Sequence, residues 1–472
     1  MGRRMTRTAA VALVAAVVAG GVAFPGTAVA VAMPSPADIN GDGYGDAVLP
    51  APGATVAGKE YAGAVVVLYG SSRGLSAGRR VLLTQNSAGV PDSSEAWDWF
   101  GSSAALADLD RDGYSDLVVG APGEDYTGAK DAGTAVVLWG GKQGLTAGAS
   151  LPTRKETQWH AGRDVAATSG PAGAQVLIAN GNSATHLAGP FTRTGRAAKA
   201  TLHDETGWAN SVTLGDLNRD SVAERVLISG RMGGQSGGFI YVNSEPFVYP
   251  YPRVNGDGRI SVVGDVNGDG YGDLIVGDPD EPTGEGPVGH IGGAVHVWFG
   301  SPQGVSETDE PMTIHQDTSG VPDPGERHDD FGAAVAVADM DRDGVADIIV
   351  GVPGESFGSS RRAGNVVVIP GRRTGQLGLA AYNFSQNTAG VPGTAEPDDF
   401  FGASLAVADT NRDGRPDILV GAYGEDSMQG AVWSLPGGTS RPAYSSAVAF
   451  GLAAVGLSPV SGSMLGGEDN RV

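Results

Sequence analysis

A single nine-residue pattern constrains this chain more than any other feature. Asp265-Val266-Asn267-Gly268-Asp269-Gly270-Tyr271-Gly272-Asp273 sets oxygen-bearing side chains at loop positions 1, 3, 5 and 9 and a glycine at position 6, and the apolar run Leu274-Ile275-Val276-Gly277 follows directly. Alternating carboxylates in a tight loop repel one another unless a hard, oxygen-seeking cation at about 2.3–2.6 Å sits between them. Calcium is the natural tenant, with the Tyr271 carbonyl at position 7 as a further ligand. Position 6 turns the chain sharply, which favours glycine because it reaches positive φ without a Cβ clash. The apolar run behind the loop reads as a buried strand.

The pattern recurs. Asp38, Asn40, Asp42 and Asp46, with the Tyr44 carbonyl, form the first copy, and Asp108, Asp110, Asp112 and Asp116, with Tyr114, the second. Asp339, Asp341, Asp343 and Asp347 with Val345, and Asp409, Asn411, Asp413 and Asp417 with Arg415, close the series. A variant, Asp216, Asn218, Asp220 and Glu224 with Val222, has Ser221 in place of the glycine, which puts its geometry in question. That makes five strict copies and one variant.

Two other landmarks keep step with the loops. Phe100-Gly101, Phe331-Gly332 and Phe401-Gly402 set their glycine seven residues ahead of the first loop aspartate, and Ala209 and Gly258 hold that offset elsewhere. Gly162 opens a degenerate unit in which Ser169 stands where aspartate is expected, so a shortened loop without metal is predicted there. After the loops come strands such as Leu117-Val118-Val119-Gly120-Ala121-Pro122, then a third strand behind a glycine, as in Thr134 to Trp139, and a fourth around Val81 to Thr84 or Tyr382 to Ser385. Four antiparallel strands repeated along a chain are the signature of propeller blades. The first loop lies too near the N-terminus for blade one to have its own inner strand, and Phe450-Gly451-Leu452-Ala453 repeats the landmark with no loop behind it. This C-terminal strand is expected to complete blade one. Landmarks at 101, 162, 209, 258, 332, 402 and 451 then count an all-β, seven-bladed propeller of four-stranded antiparallel blades.

Composition agrees. The 76 glycines and 28 prolines favour short strands and turns over helices, and the absence of cysteine removes disulfides, thiolate metal sites and cysteine nucleophiles. Arg3, Arg4 and Arg7, the apolar run Ala9 to Phe24 and Ala28-Val29-Ala30 read as a signal peptide over residues 1–30, leaving 31–472 as one secreted domain. Its removal takes three of 31 basic residues and none of 53 acidic ones, leaving 28 against 53 and a formal charge of −25. Such a surface repels phosphate backbones and anionic lipid, so neither nucleic acid nor membrane insertion is expected.

Phe100-Gly101, the acidic loops and Gly120-Ala121-Pro122 together resemble the FG-GAP repeat family, found in the N-terminal propeller of integrin α chains and in bacterial relatives. The resemblance spans roughly residues 37 to 458. It implies a seven-bladed propeller whose calcium loops join the first and second strands of a blade, on the face opposite the usual ligand site. Phospholipases that carry these repeats keep their catalysis in another domain.

Function is therefore sought in the loops of the other face. A glutamate recurs eight residues beyond loop position 9, at Glu124, Glu281, Glu355 and Glu425, either as a ring of acids facing a ligand or as hydrogen-bond acceptors for neighbouring turn amides. A second phrase, Gln85-Asn86-Ser87-Ala88-Gly89-Val90-Pro91, is echoed from Gln316 and from Gln386 and reads as turn structure between blades. Trp97, Trp99, Glu124, Asp125 and Tyr126 are the candidate ligand residues, since aromatics beside acids stack on sugars or anchor protein partners. Trp99 has the simpler alternative of packing between blades. The seven histidines form no H-E-x-x-H pair. The expectation is a monomeric, calcium-stabilised module that binds an extracellular glycan or protein and is not an enzyme. The alternative is a polysaccharide hydrolase or lyase working at the propeller funnel.

Overall fold

The apolar run behind each acidic loop becomes a strand, fully buried in blades two and four to seven and alternately buried in blade one, and in blades two and four to seven the run before the loop pairs with it. In blade two, Ala104–Ala107 lies antiparallel to Asp116–Ala121, which pairs with Thr134–Trp139, which pairs with Ala147–Ser150. The structure, a computed structural model, describes residues 37–467 apart from 182, 204–208, 232–234, 244–251 and 282–288. The export segment read in residues 1–30 lies outside the described residues. Seven antiparallel sheets follow one another along the chain, six of four strands and one, blade one, of three described strands. The protein is a seven-bladed β-propeller, nearly all β.

Burial is deepest in the second and third strands of a blade. Asp116–Ala121, Asp273–Asp278, Asp347–Val352 and Asp417–Ala422 are buried along their whole length, as are Thr134–Trp139 and Asn365–Ile369. These strands face a neighbouring blade on either side, so the alternation of a half-exposed sheet is lost and the sequence runs apolar. Phe100, Phe331 and Phe401 are fully buried, and each pairs with the glycine that opens the third strand of the preceding blade: Gly63 with Phe100, Gly293 with Phe331, Gly364 with Phe401. The aromatic-glycine landmark is thus an inter-blade joint.

The degenerate unit folds as read: Val165–Gly170 and Gly173–Asn180 are joined by Pro171 and Ala172 alone. Ring closure differs from expectation. Val448–Gly451, which contains Phe450, is the outermost strand of blade seven, paired with Ala431–Leu435, and does not complete blade one. The landmark position at the seam is held by Leu465-Gly466 instead. Leu465 pairs with Gly430, and the Gly466 N–H donates to the Pro50 carbonyl at 2.9 Å, as Gly101 N–H donates to Gly120 and Gly402 N–H to Gly421. The reason is physical: the joint requires one buried apolar side chain followed by a glycine, and leucine fills that pocket as phenylalanine does. Leu49, Val66 and Leu68 of blade one and Leu419, Val432 and Phe450 of blade seven share one apolar cluster across the seam with Leu465.

Candidate functional site

The acidic loops lie at one end of the propeller. Within blade two, Asp108 accepts from the backbone N–H groups of Asp112 at 3.1 Å and Gly113 at 3.0 Å, and Asp112 accepts from that of Tyr114 at 3.1 Å. Asp116 at position 9 is buried and accepts two backbone N–H groups, from Leu109 inside its loop and from Gly140 at the end of the third strand, both at 2.8 Å. The arrangement repeats with Asp46 to Ile39 and Gly70, Asp273 to Val266 and Gly300, Asp347 to Met340 and Gly371, and Asp417 to Thr410 and Gly437. Position 9 therefore pins three strands together as well as facing the loop. Burial, only partly offset by those hydrogen bonds, pushes the carboxyls of Asp46, Asp116, Asp273 and Asp347 up to about 7.

The donor set fits a hard cation. Carboxylate oxygens of Asp108, Asp110 and Asp116 lie within 4.8 Å of one another, as do those of Asp339, Asp341 and Asp347. One oxygen of Asp110 and one of Asp216 are buried with no hydrogen-bond partner. A buried, unpartnered acid oxygen among other loop carboxylates, as at Asp110, is what a cation with oxygen ligands would satisfy.

Each loop has two residues of left-handed backbone where the sequence pointed to one. Position 6 has positive φ throughout, from Gly270 at 92° to Ser221 at 70°. Ser221 keeps the turn: its N–H donates to Asp216 Oδ2 at 2.8 Å, as the glycines do. Position 4 is left-handed too, occupied by Gly41 and Gly268 but also by Arg111, Arg219, Arg342 and Arg412 at φ between 58° and 65°. A left-handed conformation costs a non-glycine residue roughly 1–2 kcal/mol. The Asp side chains at position 1, gathering the N–H groups that follow, hold these residues there.

The loops are not equivalent. In blade two the Arg193 guanidinium reaches Asp110 Oδ2 at 2.7 Å and also pairs with Asp112. In blade one Arg79 pairs with Asp42 at 2.9 Å. In blade four Glu224 accepts from Leu217 N–H at 2.7 Å and from the Asn218 side-chain amide at 3.0 Å. Neighbouring loops are also stitched together: Ser115 and Gly141 of blade two donate to the Asp38 and Ile39 carbonyls, Ala346 and Arg372 to Asp265 and Val266, and Gly45 and Ser71 to Asp409 and Thr410 across the seam.

At the opposite end the two recurring phrases prove to be partners. Gln85 Nε2 donates to Glu124, Gln316 Nε2 to Glu355 at 2.8 Å, and Gln386 Nε2 to Glu425 at 2.8 Å. These glutamates are the hydrogen-bonded alternative to a ring of free acids, although the donor is a side chain of the preceding blade and not a turn amide. Burial pushes Glu355 and Glu425 up to about 7 and Glu124 to about 9. Glu281 differs, pairing with Arg327 and accepting from His328 N–H at 3.1 Å.

The five candidate ligand residues separate into two groups. Trp97 and Trp99 join a third ring that the sequence reading missed, Tyr61 of blade one: Tyr61 and Trp97 stack at 4.3 Å, and Tyr61 and Trp99 meet at 4.8 Å. Trp97 is 52% exposed, the most exposed large apolar side chain among the described residues. Glu124 is buried in its glutamine pair, Asp125 accepts from Asp131 N–H at 2.6 Å within its own turn, and Tyr126 lies under the Lys155 ammonium at 3.7 Å. Burial draws the Lys155 ammonium down to about 8 against the raising effect of Glu124 and Asp92. A signal for Tyr61 was available only through the repeat, since it precedes Gly63 by two residues and Gly63 pairs with Phe100.

Comparison with known proteins matches the FG-GAP repeat at residues 34–68, 100–138, 258–298, 331–369 and 401–435. A phosphatidylinositol-glycan-specific phospholipase D from Bos taurus is 32% identical over 199 residues, 41% of this chain and 22% of that protein. Integrin alpha-5 from Xenopus laevis is 28% identical over 238 residues, 48% of this chain and 21% of that protein, and human integrin alpha-IIb is 27% identical over 231 residues, 47% and 20%. The chain spans about a fifth of the length of these relatives. Blades three and four fall between the second and third matched repeats, where the loop is lost or altered.

Proposed function

For a chain of FG-GAP repeats folded as an integrin-α-like β-propeller, we propose a secreted, calcium-stabilised module that binds an extracellular glycan or protein in an adhesive role. Residues 31–472 act as its single domain after removal of residues 1–30. Calcium is held at the loop end by the side chains at positions 1, 3, 5 and 9 and by the position-7 carbonyl in the five strict loops. The position-9 oxygens that accept backbone N–H groups each keep a second lone pair for the ion. Arg193 makes blade two the weakest of the five. In the blade-four loop, Asn218 and Glu224 are already bonded to each other, which lowers its capacity for an ion.

The observation that carries the binding role is the exposed Tyr61–Trp97–Trp99 cluster at the end opposite the loops. Rigid aromatic faces give large contact area at low entropic cost and stack on sugar rings or protein side chains. A hydrolase or lyase at the funnel needs a carboxylate pair there. The six described inner strands, among them Ala104–Ala107, Val165–Gly170, Ile260–Gly264 and Ala334–Ala338, contain no ionisable side chain, which favours binding over hydrolysis.

A glycan array and a pull-down from cell-surface extracts, run with wild type and Trp97→Ala in calcium, test the reading. Retention of a glycan or protein by wild type and its loss in the variant support it. Binding that ignores Trp97, or no binding in either assay, counts against it, and reducing ends released from a polysaccharide panel would favour the enzyme.

A further inference from the structure

Blade five departs from its sister blades at three positions that meet in space. In the repeated phrase, Thr84 and Ser385 precede the glutamine and Asn86 and Asn387 follow it, whereas blade five has His315 and Asp317. Three residues before the glycine that opens the third strand, the sister blades have Glu60, Lys130 and Arg361, and blade five has His290. The turn itself does not require these changes. Asp317 Oδ1 accepts from Gly325 N–H at 3.2 Å just as the side-chain carbonyls of Asn86 and Asn387 accept from Ser94 and Ala395 at 3.2 and 3.3 Å. The Asn-to-Asp difference leaves the turn unchanged and replaces an amide donor with a second acid oxygen, Oδ2.

That oxygen lies 3.4 Å from His290 Nε2. The His290 Nδ1–H donates to the Ile291 carbonyl at 2.7 Å, which leaves the lone pair on Nε2, the nitrogen that faces the acid. The His290 and His315 rings stack at 3.6 Å and 10°. Two imidazolium rings would repel at that distance, so at least one ring is neutral and able to ligate. His315 Nδ1 is buried with no hydrogen-bond partner. One ligand atom from each of His290, His315 and Asp317 lies within 4.8 Å of the others.

We propose that His290, His315 and Asp317 bind one divalent transition metal of the zinc class on blade five, at the end of the propeller away from the acidic loops. Two imidazoles and one carboxylate suit zinc, which takes His nitrogen at about 2.0–2.1 Å and carboxylate oxygen at about 2.0–2.2 Å. The acidic loops, all oxygen and many-coordinate, suit calcium, whereas two imidazoles suit it poorly. Asp317 is exposed, and its Oδ2, outside the turn hydrogen bond, is the oxygen that faces His290. Three protein ligands leave a fourth position to water or to an anionic group of a partner. The inference is independent of the binding reading above, because it rests on none of its residues.

The test is zinc titration by calorimetry into the full chain in millimolar calcium, with cobalt absorption as a second readout. His315→Ser and Asp317→Asn install the residues of the sister blades, so both variants keep the turn and fold. The expected result is one zinc equivalent for wild type, cobalt bands of four-coordinate intensity, and at least about tenfold weaker binding in each variant. Their melting temperatures without zinc stay at the wild-type value. The proposal is overturned if wild type takes up no zinc in calcium, or if either variant binds zinc as wild type does.

Discussion

Blades two and three are neighbours with four strands each, and they differ at one end. Blade two turns its first hairpin through the nine residues Asp108 to Asp116, and blade three through Pro171 and Ala172. Blade three still pairs along its full length, with Val165 opposite Ile178 and Ser169 opposite Ala174. A blade therefore does not need the acidic loop to form a sheet. Blade three lacks the position-9 clasp to the third strand and is braced from outside: Ser169 Oγ accepts from Asp108 N–H at 3.2 Å, and Arg111 donates to the Gly170 carbonyl at 2.7 Å. Asp164, which accepts from Val212 N–H at 2.8 Å and Ser211 Oγ at 3.0 Å, ties it to blade four. The acidic loop is a fastening between strands and between blades, and its carboxylates are tolerable only when something offsets their charge.

Removing calcium has the largest predicted effect. At millimolar calcium and dissociation constants of about 10⁻⁴ to 10⁻³ M, each strict loop contributes about 1 kcal/mol, roughly 5 kcal/mol in all. A chelator lowers the melting temperature in scanning calorimetry, and hydrogen exchange accelerates in blade two more than in blade three. Equal acceleration in the two blades would break the comparison. Next comes the clasp. Asp347→Ala leaves two backbone N–H groups unpaired and costs about 3 kcal/mol in urea denaturation, whereas Ser169→Ala, where blade three has a serine in place of the first loop aspartate, costs under about 0.5 kcal/mol.

A smaller effect belongs to the glutamine–glutamate pairs, which blade three does not carry among its described residues. Burial raises Glu355 from the ordinary 4.5 to about 7, so the folded chain keeps this proton to higher pH than the unfolded chain does. The stabilisation is complete below about pH 4.5 and is lost as pH rises through 7. In saturating calcium, Glu355→Gln flattens the stability profile between pH 5 and 8 by on the order of 2 kcal/mol relative to wild type. The smallest effect is at Arg193, which is half exposed and whose pairing is screened by solvent. Arg193→Ala raises the calcium affinity of blade two about threefold, read as a change in one site of a calorimetric titration.

What could be read from the residues alone was whatever obeyed a fixed offset. Asp108 to Asp116 and its copies, the Phe-Gly joints and the decayed turn at Ser169 all sit at set distances from one another, and the structure has them where those distances put them. Contacts between blades were harder to see. The Gln85–Glu124, Gln316–Glu355 and Gln386–Glu425 pairs share one spacing of 39 residues, and that was the available signal. Tyr61 escaped because its partners Trp97 and Trp99 lie beyond two strands of its own blade. Arg111, Arg219, Arg342 and Arg412 look like ordinary exposed cations, and nothing about arginine announces a left-handed backbone. Phe450 misled because an aromatic-glycine pair also suits the outer strand of a blade, while the true joint used Leu465.

The seam between blades seven and one has a mechanical meaning. It joins segments far apart in the chain, so a pull that separates blade one from blade seven is borne at this joint by non-covalent contacts. The joint meets such a pull with the Gly45–Asp409, Ser71–Thr410 and Gly466–Pro50 hydrogen bonds and the apolar cluster around Leu49 and Leu465. Forced opening is governed by an unfolding rate, so these contacts bear on how long the closed ring persists under tension.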